Sequence, residues 1–130
     1  MSNAQRPLEG IRVIEMGQLL AGPFTGTMLA YFGAEVIKVE PPGGDPIRGW
    51  RLVKDGTSLW YRSLGRNKKS VTLDLKSARG QQLAKELIKN ADVVVENFRP
   101  GLMEKWGMGP DDLKLENPGL IYARISGYGQ

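Results

Sequence analysis

Glu96-Asn97-Phe98-Arg99-Pro100-Gly101 carries the densest set of useful chemical groups in the chain. It closes a run of three valines, Val93 to Val95. An amide, an aromatic ring and a guanidinium at the tip of a buried strand suit a nucleotide. Asn97 can hydrogen-bond an adenine or amide edge, Phe98 can stack and Arg99 can hold phosphate. The same groups could instead cap the turn at Pro100-Gly101. A second set is Asn67-Lys68-Lys69-Ser70, preceded by Arg66, with Lys76 close by in sequence. It reads as a phosphate clamp or as a solvated basic edge that blunts a strand end. A third is Gly17-Gln18-Leu19-Leu20-Ala21-Gly22-Pro23. Two glycines bracket a loop, and Pro23 suits the first turn of a helix, where its missing N–H is not needed. A strand, such a turn and a helix N-terminus make a socket for an anion or diphosphate. The alternative role of the glycines is close packing of helix on sheet.

The chain has no cysteine and no histidine. Disulfides, thiolate nucleophiles, cysteine–zinc sites and the commonest general base are therefore excluded. Carboxylates, lysine, serine, tyrosine and backbone amides remain for chemistry. Gly17 and Gly22 have the spacing of the two Walker A glycines, but Pro23-Phe24 follows instead of Lys-Ser/Thr. The lysine and the magnesium-binding hydroxyl of an ATPase are missing. No G-x-G-x-x-G follows the first strand either.

The elements that must carry these groups follow from pattern. Ile11 to Met16 is rich in β-branched residues and predicts a strand. Phe24, Met28 and Phe32 follow at helical spacing, and Gly33 stops that helix. Glu35 to Glu40 alternates and predicts a second strand, parallel to the first across the helix. Pro41 to about Arg66 reads as a long loop holding Trp50, Trp60 and Tyr61 among several arginines. Val71 to Leu75 predicts the third strand, and Ser77 caps a helix facing inward through Leu83, Ala84, Leu87, Ile88 and Ala91. Asp92 to Phe98 is the fourth strand, its valines suited to burial on both faces. Two short helices, from Leu102 to Trp106 and from Pro110, precede a last strand from Leu120 to Ser126. The whole predicts an α/β fold with an open, mostly parallel Rossmann-like sheet and flanking helices. Ligands of such sheets sit outside the carboxyl ends of the strands, where the Gly17–Pro23 loop, Pro41–Gly44, Asn97-Phe98-Arg99 and Gly127-Tyr128-Gly129 fall.

At 130 residues the chain is one domain or part of one. The net charge of +4 suits a phosphorylated small ligand and is too small and scattered for nucleic acid. No apolar run reaches the length of a membrane span, and no signal region opens the chain. A cytoplasmic protein is expected, with neither nucleic acid nor membrane as partner.

Six ordered blocks resemble CoA-transferase family III, the CaiB/BaiF type that includes formyl-CoA transferase. They are Pro7-Leu8-Glu9-Gly10-Ile11-Arg12-Val13, Leu20-Ala21-Gly22-Pro23-Phe24, Gly33 to Glu40, Asn67 to Ser70, Val95 to Gly101 and Ser126 to Gln130. The resemblance implies an acyl-CoA:carboxylate CoA-transferase with no permanently bound cofactor, CoA and acyl-CoA being substrates. It implies an aspartate that becomes an aspartyl-CoA thioester, placed beyond Gln130, and an interlocked homodimer. Residues 1–130 would then be the N-terminal CoA-binding portion, ending before the catalytic aspartate and inactive alone. Carried over by position, the CoA-contacting residues are Leu20, Ala21, Leu73, Lys76, Asn97, Phe98, Arg99 and Lys105. Lys105 stands where some members have arginine, and Pro41 where some have arginine after the second strand. α-Methylacyl-CoA racemases share several blocks and are one alternative. A non-catalytic nucleotide-binding or assembly piece is the other.

Overall fold

Three consecutive valines without polar alternation need a strand covered on both faces, and Val93–Val95 occupy one. The computed structural model describes residues 6–129. β1 (Arg12–Glu15) leads into α1 (Ala21–Tyr31) and β2 (Glu35–Glu40). The next segment holds a 3-10 turn at Pro46–Gly49, a hairpin of β3 (Val53–Lys54) and β4 (Thr57–Ser58), and α2 (Leu59–Leu64). β5 (Lys68–Thr72), α3 (Ala78–Lys89), β6 (Val93–Glu96), α4 (Leu102–Lys105), α5 (Pro110–Glu116) and β7 (Ile121–Arg124) complete the order.

Five strands form one sheet in the order β5-β2-β1-β6-β7, and every neighbouring pair is parallel. The order reverses between β1 and β6, so the loops after these two strands run to opposite sides and leave a crevice between them. Successive side chains alternate between faces. Val13, Val36 and Val95 therefore pack with Ala30 and Ala34 on the α1 face. Ile14, Met16 and Val94 pack with Ala84, Ile88 and Leu113 of α3 and α5 on the other. Among the described residues no helix is long and apolar enough to cross a membrane.

Three expectations are corrected. The third strand runs from Lys68 to Thr72 and not from Val71 to Leu75. Its register places Lys68 beside Val36, and the strand ends before Leu73 and Leu75, which turn towards a groove. The segment after Pro41 is also more ordered than a loop. Asp55-Gly56 sits between β3 and β4 with both residues at positive φ, +52° and +73°, the geometry of a tight hairpin turn. Finally, α1 begins at Ala21, two residues ahead of Pro23, and buries Gly22, Pro23, Gly26, Thr27 and Ala30. Phe24 and Phe32 stand out at 56% and 55% exposure. The small face lets the helix lie close to the sheet; a stripe of aromatics could not.

Candidate functional site

The loop from Gly17 to Gly22 is the centre of the carboxyl edge. Its ends nearly touch: a Cβ on Gly17 would lie 2.8 Å from Gly22 Cα and 2.4 Å from Asn97 Oδ1. Only glycine allows that approach. Asn97, just past β6, reaches into the gap. Gln18 N donates to its Oδ1 at 2.8 Å, and its Nδ2 donates to Gln18 O at 3.0 Å. Leu19 is in the left-handed region at φ +63°, a conformation that costs a non-glycine residue about 1 kcal/mol or more. Its N–H donates to both carboxylate oxygens of Asp45, at 3.1 and 3.2 Å.

Beneath the loop lie four charged side chains, each at most 3% exposed. Lys38 Nζ of β2 is 2.9 Å from Glu15 Oε1 and 2.8 Å from Asp45 Oδ2, and it donates to Gly17 O at 3.0 Å. Lys68 Nζ of β5 is 2.6 Å from Glu15 Oε2 and donates to Pro23 O, also at 2.6 Å. Two carboxylates and two ammonium groups balance in formal charge. Burial raises the pKa of Glu15 despite Lys38 and Lys68 beside it, and burial lowers that of Lys68 despite Glu15. Gly26 makes room for this arrangement, since a Cβ there would come within 1.9 Å of Glu15 Oε2.

A second network anchors the chain after β2. Arg48 donates to both oxygens of Glu40 at 2.7 Å and lies over the Tyr61 ring at 3.8 Å. Ser70 Oγ and Asp45 N donate to the same carboxylate at 2.7 and 2.8 Å. Burial works against the Glu40 charge, but these donors outweigh it and hold its pKa at about 2.

Beside the loop a shallow open groove runs along the ends of β1, β2, β5 and β6. Gln18, Pro41, Leu73, Lys76, Phe98 and Trp106 line it. Phe98 meets Trp106 edge to face, with centroids 5.4 Å apart, so one wall is a fixed aromatic surface.

Of the predicted contact residues, Leu73, Lys76 and Phe98 meet in this groove. Asn97 is half-buried beside it, with its amide committed to Gln18. Leu20, the N-cap of α1, lines a separate apolar hollow with Trp60 and Leu64, and Ala21 follows it on the surface. Arg99 and Lys105 are exposed and outside the groove lining. Gly127-Tyr128-Gly129 is fully at the surface. The basic cluster from Asn67 to Ser70 is neither a phosphate clamp nor a solvated edge at Lys68, whose head is buried on Glu15. Lys69 does face outward, 71% exposed, and pairs with Glu35.

Gln18, Glu15, Lys38 and Asp45 were not singled out from sequence. A signal existed for Glu15 and Lys38: a charged residue within a strand covered on both faces must be buried and paired. Gln18 and Asp45 lie in loops and carried no such signal.

Residues 8–130 match the family model of CoA-transferase family III. The chain belongs to that family. Within it, the chain is 58% identical to the succinyl-CoA–D-citramalate CoA-transferase of Chloroflexus aurantiacus, over 96% of this chain and 32% of the relative. It is 44% identical to a formyl-CoA:oxalate CoA-transferase of Streptomyces coelicolor, over 96% of this chain and 31% of the relative. Its fold superposes on a crystal structure of the Mycobacterium tuberculosis protein Rv3272 with TM-score 0.89 and 48% identity, covering 96% of this chain and 35% of that one. A CaiB/BaiF family protein of Brucella suis gives 0.87 at 40% identity, over 93% and 33%. The chain thus spans about a third of the length of the family III relatives it matches.

Proposed function

We propose that this chain is the CoA-binding N-terminal part of an acyl-CoA:carboxylate CoA-transferase. The observation that carries the reading is the groove at the strand ends, where Lys76 and the Phe98–Trp106 wall offer a cation and an aromatic face to one nucleotide. Family membership supports the same ligand. Leu20 and Ala21 follow Gln18 in the same loop and are exposed, free to meet a ligand that extends beyond the groove. Arg99 and Lys105 supply charge around it, Lys105 as a point charge without the fork of arginine.

In the reading, an aspartate carried by sequence beyond Gln130 attacks the thioester carbonyl and expels the CoA thiolate. The thiolate attacks the aspartyl carbonyl of the resulting anhydride and releases the donor acid. The acceptor carboxylate attacks the aspartyl-CoA thioester and expels the thiolate again. The thiolate then attacks the acyl carbonyl of the second anhydride, giving the new acyl-CoA and restoring the aspartate. No external proton or electron is required. Succinyl-CoA as donor and a short dicarboxylate as acceptor are the first substrates to examine, because relatives 46–58% identical are named for succinate or succinyl-CoA with citramalate, malate or glutarate. The full-length protein is a cytoplasmic homodimer in this reading. The exposed apolar side chains Phe24, Phe32 and Leu52 support further polypeptide packing on this part.

The test is to give the full-length protein succinyl-CoA with malate, citramalate, glutarate or oxalate and to follow new thioesters by mass spectrometry. Transfer to at least one acid is expected. Without acceptor, the protein itself should gain the mass of one CoA less one water. Absence of both the transfer and the adduct would overturn the reading.

A further inference from the structure

We propose that Asp45 is a positioning residue for the Gly17–Pro23 loop, acting at the head of the buried four-charge cluster. Three of the four charged groups touch loop backbone. Lys38 bonds Gly17 O, Asp45 bonds Leu19 N and Lys68 bonds Pro23 O. Glu15 touches no loop atom but holds both lysines. The cluster therefore grips the loop at its start, its middle and the first turn of α1. Asn97 holds Gln18 from the opposite side.

Asp45 is the member whose contacts join two loops. Its carboxylate also accepts from Ile47 N at 2.9 Å and caps the 3-10 turn at Pro46–Gly49. Its own N–H donates to Glu40 Oε2 at 2.8 Å. The loops after β1 and β2 thus share one carboxylate. Leu19 needs it, because a left-handed leucine whose N–H lost that acceptor would relax to a more common conformation. Relaxation at Leu19 would swing Leu20 and Ala21. A buried ion pair adds little net stability relative to apolar residues, so two lysines and two acids in this position point to placement of the backbone rather than to general stability.

The effect on the loop stands independently of the ligand. Its consequence for binding rests on the CoA reading above. The experiment is hydrogen–deuterium exchange of full-length protein, comparing peptides over residues 17–24 with peptides over β6. Asp45→Ala removes acceptor and charge, and Asp45→Asn keeps an oxygen for Leu19 N–H. Exchange over 17–24 is expected to rise about tenfold in Asp45→Ala, with β6 unchanged, and to return most of the way in Asp45→Asn. CoA affinity measured in parallel should fall and recover in the same order. Unchanged exchange over 17–24, or an equal rise in β6, would overturn the positioning role. A loosened loop with unchanged CoA affinity would confirm the role and remove CoA from this loop. If Asp45→Ala does not fold, Asp45→Glu keeps the charge but shifts the carboxylate by one methylene from Leu19 N–H, and it is read by the same criteria over residues 17–24 and β6.

Discussion

Asn97 holds Gln18 by both faces of its peptide bond pair, accepting from N at 2.8 Å and donating to O at 3.0 Å across 79 positions of sequence. This one side chain ties the end of β6 to the loop after β1. Replacing it with alanine deletes both bonds and leaves two half-buried backbone groups without partners. Asn97→Ala should cost about 2 kcal/mol in a urea denaturation series. Asn97→Asp should do no better. It keeps the acceptor but sets a second carboxylate oxygen against Gln18 O.

Gly26→Ala places a methyl 1.9 Å from a carboxylate oxygen that two lysines hold in place. Neither the helix nor the cluster has room to yield. A loss of about 3 kcal/mol or more, or failure to fold, is expected by thermal unfolding. Gly49→Ala is the control. A Cβ there meets nothing within 4 Å, so its effect should stay within about 0.5 kcal/mol.

The Glu40 network sets an acid response. The folded pKa is about 2, below the ordinary value of 4.5. A depressed carboxylate pKa means that the unfolded chain binds the proton more readily. The contribution to stability is therefore complete above 4.5 and is lost as pH falls from 4.5 towards 2. Trp50 and Trp60 lie on the segment that this network anchors. Their fluorescence should report loosening across that window in the native protein, and Glu40→Gln should flatten that pH dependence. An unchanged acid profile in Glu40→Gln would show that other carboxylates govern the response.

Lys76 stands on the rim of the groove with its charge in solvent. In the CoA reading its ammonium group meets the 3′-phosphate. Lys76→Ala should weaken CoA binding about tenfold and leave dephospho-CoA binding unchanged, measured by calorimetry on the full-length protein. Equal weakening of both would move Lys76 away from that phosphate.

Legibility differed from group to group. The Ser77 cap was readable, and its Oγ does accept from Gly80 N at 3.0 Å. Gly33 ends α1 at φ +106°, as its type and place indicated. Asp55-Gly56 carried a hairpin signal that the surrounding prolines and arginines obscured. Lys68 was misplaced because a lysine beside Arg66 and Lys69 resembles a surface run. Nothing local reveals that one member of the run turns inward.

The amino-acid order by itself determined the strands and helices outside the segment after Pro41, to within a few residues, and the parallel character of the sheet. Those follow from side-chain period, caps and turn residues, which act between near neighbours in the chain. Tertiary structure alone decided that Glu15, Lys38, Asp45 and Lys68 share one buried cluster and that Asn97 closes the first loop. Such contacts arise only when three strands and two loops are brought together. A buried charge must then find partners among whatever groups the fold has placed within reach.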